Sequence, residues 1–176
     1  FERSMVRVGA VTNTVGTVAL SDMTRQAQDL AKTTEHTGRE VANAMGFLGM
    51  AGFKANQIME ATPTVLKLAS AGMMDVAQSA NIVTNILSSY SMKMSDLVNA
   101  SNILTSPFTN SNTTLVSLGE SFKFVGSVAQ SAGFDFKEMS ATLGLLGNTG
   151  LDSAMAGTAL RGIIVRLQAP TKAASR

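Results

Sequence analysis

The chain has no cysteine, no tryptophan, one tyrosine, one histidine and three prolines in 176 residues. Without cysteine there is no disulfide framework, no thiol nucleophile and no thiolate zinc site, a composition compatible with assembly in a reducing cytoplasm. The single histidine, His36, lies in the polar stretch TTEHTG between two helical runs. It has no partner at metal-ligand spacing, so it reads as an exposed histidine between helices. Aromatic residues make up 5% of the chain against 11 Met, which leaves Leu, Ile, Val, Ala and pliable Met side chains to fill the core. Charge of one sign is missing as well. The 14 Lys and Arg are interspersed with 12 Asp and Glu for a net charge of +2, and nothing resembles the clustered basic face of a sequence-specific nucleic-acid binder. Only beyond Asp152 is the text one-sided: Arg161, Arg166, Lys172 and Arg176 read as charges favoured at a helix C-terminus followed by a solvated tail. Residues 97–119 carry no charge, but they contain four Asn, Pro107 and many hydroxyl side chains, so they lack the apolarity of a membrane span. An initiating Met is lacking too, and Phe1 reads as part of a helix, so the sequence is expected to be an excerpt of a longer chain.

What is present is helix. With 45% hydrophobic and 15% charged residues the balance is globular, and the length allows a sizeable core in one compact unit or two small lobes. Leu115, Leu118, Phe122, Val125, Ala129 and Ala132 alternate steps of three and four, the seam of a helix lying along another. Val76, Ala80, Val83, Leu87 and Tyr90 make a second stripe, and Met139, Leu143 and Leu146 a third. Asp135 with Glu138 three residues on resembles a capping box. Thr62-Pro63 predicts a break, with one helix ending near Ala61 and another running from Pro63 to Ala71, because the residue before proline is pushed toward extended geometry. Gly72 should terminate that second helix. Ser106-Pro107 and the polar residues 109–112 predict the clearest loop. A faint echo relates Gly52-Phe53 to Ser91-Met92 at a spacing of 39, and Gly133-Phe134 resembles both. Duplicated hairpins and shared helix-start chemistry explain it equally well. The expected fold class is all-α, a compact bundle or a stack of short helical hairpins.

Candidate chemistry is sparse. Glu35 and Glu40 read as solvated helix charges, and Asp135 with Glu138 as a cap, rather than as acid/base pairs. The glycines at Gly144, Gly147 and Gly150 lack the preceding strand and the following Lys-Ser/Thr of a phosphate-cradling loop, which leaves a helix terminator and tight turn. Gly46, Gly49 and Gly52 read as a thin helix face or a helix end. No cofactor or metal site is expected, and the sequons at Asn99 and Asn112 read as coincidences of Asn- and Ser-rich text.

The most particular stretch is residues 150–170, GLDSAMAGTALRGIIVRLQAP. Ala154, Ala156, Gly157, Ala159 and Gly162 keep one side of a helix nearly bare, while Ala156, Leu160, Ile163 and Leu167 recur as an apolar stripe. Asp152 suits the helix start, and Pro170 marks the expected stop. The order Asn148 to Gly150, then AGTALR from Ala156 to Arg161, then Arg166-Leu167 to Pro170, closely resembles the core-region signature of bacteriophage tail tape measure proteins. Residues 51–72, 75–87 and 131–146 follow the same family's pattern in the same order, and the resemblance covers nearly the whole chain. It implies a structural, non-enzymatic core region, with residues 22–170 as the helical domain, residues 1–21 as the end of an upstream helix and a linker, and residues 171–176 as the start of a downstream linker. Gly52, Pro63, Gly72, Gly133, Gly150, Ala156, Gly157, Thr158, Ala159, Leu160, Arg161, Leu167 and Pro170 carry the signature.

The resemblance further implies a place in the lumen of the tail tube, with assembly in the host bacterial cytoplasm. It implies as partners further copies of the chain, the tail tube protein, tail tip or hub proteins and tail assembly chaperones. The tape measure role it implies is setting tail length and assisting tube assembly and genome ejection in a long-tailed phage or prophage. The rival reading is a helical-repeat adaptor that binds a peptide or protein in a groove.

Overall fold

The computed structural model describes residues 1–169, with the backbone alone at 108 and 109. Among the described residues are nine α-helices, one 3-10 turn and no strand. The chain divides into two compact units, Phe1–Thr84 and Asn85–Arg176, and the fold is all-α. Among the described residues no helix is long and apolar enough to cross a membrane.

In the first unit α1 (Glu2–Thr12) and α2 (Val18–Thr33) form one hairpin, and α3 (Gly38–Met50) and α4 (Ala55–Ala71) form the next. The hairpins stack so that α3 lies on α1 and α4 on α2. Met5, Val8, Met23, Met45, Leu48 and Ile58 are buried between them, each such side chain stabilising the fold by about 1.5–3 kcal/mol. The α1/α3 approach is close because Gly49 is bare: a Cβ there would lie 2.9 Å from both Val11 and Thr12 methyl carbons. Residues 1–21, expected to be an upstream helix end and linker, thus contain α1, whose Met5 and Val8 belong to this core.

α5 (Val76–Ser89) runs through the division between the units, and a single turn at Met94–Asp96 follows it. In the second unit α6 (Leu97–Asn110) pairs with α7 (Leu115–Ser131), and α8 (Phe136–Gly147) pairs with α9 (Ser153–Gln168). α8 lies on α6 and α9 on α7. The stripes on α5 and on α7 up to Ala129 are buried as their periodicity requires. Tyr90 stacks edge-on against Phe122 at 6.0 Å and Phe136 at 5.2 Å, and burial raises its phenol pKa.

The echo noted between residues 52, 91 and 133 is one turn used repeatedly. Gly52, Met73, Ser91 and Gly133 all have positive φ, and the next residue reaches back across the helix end: Phe53 N–H to Leu48 O, Met74 to Ala69, Met92 to Leu87 and Phe134 to Ala129, at 2.8–3.2 Å. This is the hydrogen bond of a left-handed helix cap. Gly72 does end α4, but its φ is −84°. The left-handed position belongs to Met73, with φ 49°.

Both proline breaks are corrected. Pro63 sits inside α4 and Pro107 inside α6. Proline at 63 removes the N–H that would bind the Met59 carbonyl, and Gln26 Nε2 from α2 donates to that carbonyl at 2.8 Å instead. At Pro107 the ring packs against a bare stretch of α8: a Cβ on Gly144 would lie 2.9 Å from Pro107 Cβ. The expected loop shortens accordingly to residues 111–114.

Candidate functional site

Of the signature residues, Ala156, Gly157 and Leu160 lie at the α7/α9 contact. Gly150, with φ 75°, reverses the chain after α8. Asp152 then caps α9 by accepting from Ala154 N–H at 2.9 Å and Met155 N–H at 3.3 Å. One turn on, a Cβ at Gly157 would overlap Ser121 O and stand 3.0 Å from Ser121 Cα. These are backbone atoms, which no rotamer change can move aside. The Ser121 hydroxyl lies 2.8 Å from Ser153 O and 3.0 Å from Ser117 O, so its one proton is shared between α9 and its own helix. Ala156 and Ile164 are buried beside the contact and Leu160 is half-buried.

Not all of the signature lies there. Thr158, Ala159 and Arg161 are exposed, and a Cβ on Gly162 would meet nothing within 4 Å. The expected apolar stripe is corrected: Ile163 is 53% and Leu167 68% exposed, and Ile164 takes the buried place. Gly157 sets the reason, since its meeting with Ser121 turns the helix so that Ala156, Leu160 and Ile164 face inward. Gly52 and Gly133, like Gly150, supply positive φ and have open space around them. Pro63 and Gly72 lie in α4 and at its end, and Pro170 lies outside the described residues. Ser121 was missed in the sequence because a serine beside an apolar stripe carries no local sign of contact with a distant helix.

His36 is not exposed as expected. Its side chain is 11% exposed, and Nε2 lies 3.0 Å from Ser70 Oγ and 3.3 Å from Leu66 O, while the Ser70 hydroxyl also bonds the Glu35 carboxylate. A histidine, a serine and a carboxylate together invite a hydrolase reading, which the geometry opposes. Glu35 and Ser70 share the Nε2 side, with Glu35 4.0 Å from it, whereas a catalytic triad needs a carboxylate on Nδ1. Ser70 also sits in the last turn of α4, where carbonyls rather than N–H groups face any oxyanion. The cluster fastens the α2/α3 connection to α4.

Glu40 is not a loose solvated charge. It forms a reciprocal box with Thr37, accepting from the Thr37 N–H and hydroxyl at 2.7 Å each while Thr37 Oγ1 accepts from Glu40 N–H. The Thr37 side-chain and backbone hydrogen bonds lower its pKa. Asp135, where the box was expected, caps α8 by accepting from Lys137 N–H at 3.2 Å. Among the described residues no group of three or more His, Cys, Asp or Glu side chains could hold a metal ion.

A helical chain with close-packed hairpins is compatible with many roles, and comparison with known proteins gives its family. The family model for phage-related minor tail proteins matches residues 24–176. The chain belongs to that family. Among its relatives, the tape measure protein of Pneumococcus phage Dp-1 is 32% identical over 173 residues, covering 98% of the chain and 15% of the relative. The probable tape measure protein of Escherichia phage P2 is 24% identical over 152 residues, covering 86% of the chain and 19% of the relative. This minor tail protein chain therefore spans less than a fifth of the length of these relatives. No solved structure matches it.

Proposed function

We propose that the chain is the folded structural core region of a tape measure protein and not its ruler. It is non-enzymatic and occupies the lumen of the tail tube after assembly in the host cytoplasm. Its partners on this reading are further copies of itself, the tail tube protein, tip or hub proteins and assembly chaperones. The observation that carries the reading is that helices of 11 to 17 residues fold back in stacked hairpins, fastened in the second unit by backbone contact at Gly157. A ruler gains about 1.5 Å per residue only while its helix is extended. Stacked hairpins would also suit an adaptor, and the tape measure names of the relatives favour the tail.

In-frame deletion of residues 22–167 from the parent gene tests the proposal by electron microscopy of tails. A core predicts few or no assembled tails. Abundant, uniform tails shortened by about 220 Å, the span of that segment as continuous helix at roughly 1.5 Å per residue, would overturn it.

A further inference from the structure

We infer that the two units are copies of one four-helix module repeated at an interval of 98 residues, the step from Gly52 to Gly150. α3 and α4 begin at Gly38 and Ala55, and α8 and α9 begin on the same interval at Phe136 and Ser153. Their N-caps, Thr37 and Lys54, match Asp135 and Asp152. α1 and α2 overlap α6 and α7 at this interval to within one helical turn. The stacking order is the same in each unit, third helix on first and fourth on second.

The residues repeat with the elements. Glu40, Gly46, Leu48, Gly49 and Gly52 recur as Glu138, Gly144, Leu146, Gly147 and Gly150, and Arg39, Val41, Met45 and Phe47 correspond to Lys137, Met139, Leu143 and Leu145. Helix formation alone does not ask for this, since glycine inside a helix costs about 1 kcal/mol against alanine. The glycines do the same job in each copy. A Cβ on Gly49 would lie 2.9 Å from Thr12 and Val11, and one on Gly147 would lie 2.8 Å from Thr113, so each thins its helix at the first hairpin. The cavities fall at matching places too. Gly46, Phe47 and Met50 line one of about 110 Å³ between α1 and α3, and Gly144, Leu145 and Asn148 line one of about 240 Å³ between α6 and α8. A side chain of the second helix reaches a carbonyl of the fourth in each unit, from positions that do not correspond: Gln26 donates to Met59 O and Ser121 to Ser153 O.

The interval differs from the 39-residue echo, which unites turns alone. It also shows where the copies have diverged, because Met23 and Met59 stand at the positions of Ser121 and Gly157.

Two grafts in the full chain test the inference, with residues 38–54 replaced either by the sequence of residues 136–152 or, one residue out of register, by that of 135–151. The readout is hydrogen exchange of α1 and α2, which neither graft alters, with α6 and α7 as the internal standard. The in-register graft should keep α1 and α2 protection within about tenfold of the parent, and the shifted graft, which puts a leucine at position 49, should lose about a hundredfold or more. Loss in both grafts, or retention in both, would overturn the repeat.

Discussion

The two units bring their fourth helix onto their second by different means. In the second unit α9 reaches α7 by having no side chain at Gly157, so that backbone meets Ser121 backbone. In the first unit a methionine occupies the matching place, and α4 instead contains Pro63, whose missing N–H leaves the Met59 carbonyl for Gln26 of α2. One seam depends on an absent side chain and the other on an absent backbone donor. At this contact overpacking therefore threatens the second unit, and loss of one hydrogen bond the first.

The largest expected effect comes from Gly157→Leu. Overpacking typically costs about 1–3 kcal/mol, and a contact with backbone atoms puts this substitution at the upper end. Met59→Leu at the matching place should cost less than about 1.5 kcal/mol, as volume-conserving apolar exchanges do. Thermal melting of the two variants checks the contrast, and equal losses would break it.

Next in size is Gln26→Ala, expected to cost about 1–2 kcal/mol by leaving the Met59 carbonyl without its donor. Pro63→Ala restores a helical N–H to that carbonyl, so Gln26→Ala should cost much less in the Pro63→Ala background. Denaturant unfolding of the four-member cycle reads the coupling; an additive cycle would mean that Gln26 does not compensate for the proline.

The smallest effect concerns acid. The Thr37 hydrogen bonds lower the Glu40 pKa below its ordinary 4.5, so the contribution of the ionised carboxylate is present above that value and fades as pH falls through the lower folded value. Glu40→Gln should therefore flatten the fall in stability of the first unit over the acid window below about pH 4.5 and leave the second unit unchanged. Hydrogen exchange of α3 against α8 across that window measures it.

Much of this fold is legible in the sequence, because the stripe on α7 and the stripe from Val76 to Tyr90 repeat at helical spacing whatever they pack against. What is illegible depends on distant partners. Nothing near Pro63 announces Gln26, and nothing near Pro107 announces the bare Gly144, so both prolines read as breaks. α9 offers apolar residues at both 163 and 164, and only the position of Ser121 decides which of them faces inward. His36 reads as exposed because Leu66 and Ser70, which cover it, come from α4. The sequence signature drew attention to Gly157 without indicating that Thr158, Ala159 and Arg161 beside it face outward.

The most direct test of a folded core is Gly157→Leu in the parent gene, with tails counted and measured by electron microscopy. The substitution leaves the number of residues unchanged, so a ruler would give tails of parental length at parental yield. A core held together at the α7/α9 contact predicts a sharp fall in the number of tails, with parental length in those that assemble. Parental yield from a variant whose melting temperature has dropped would contradict the account.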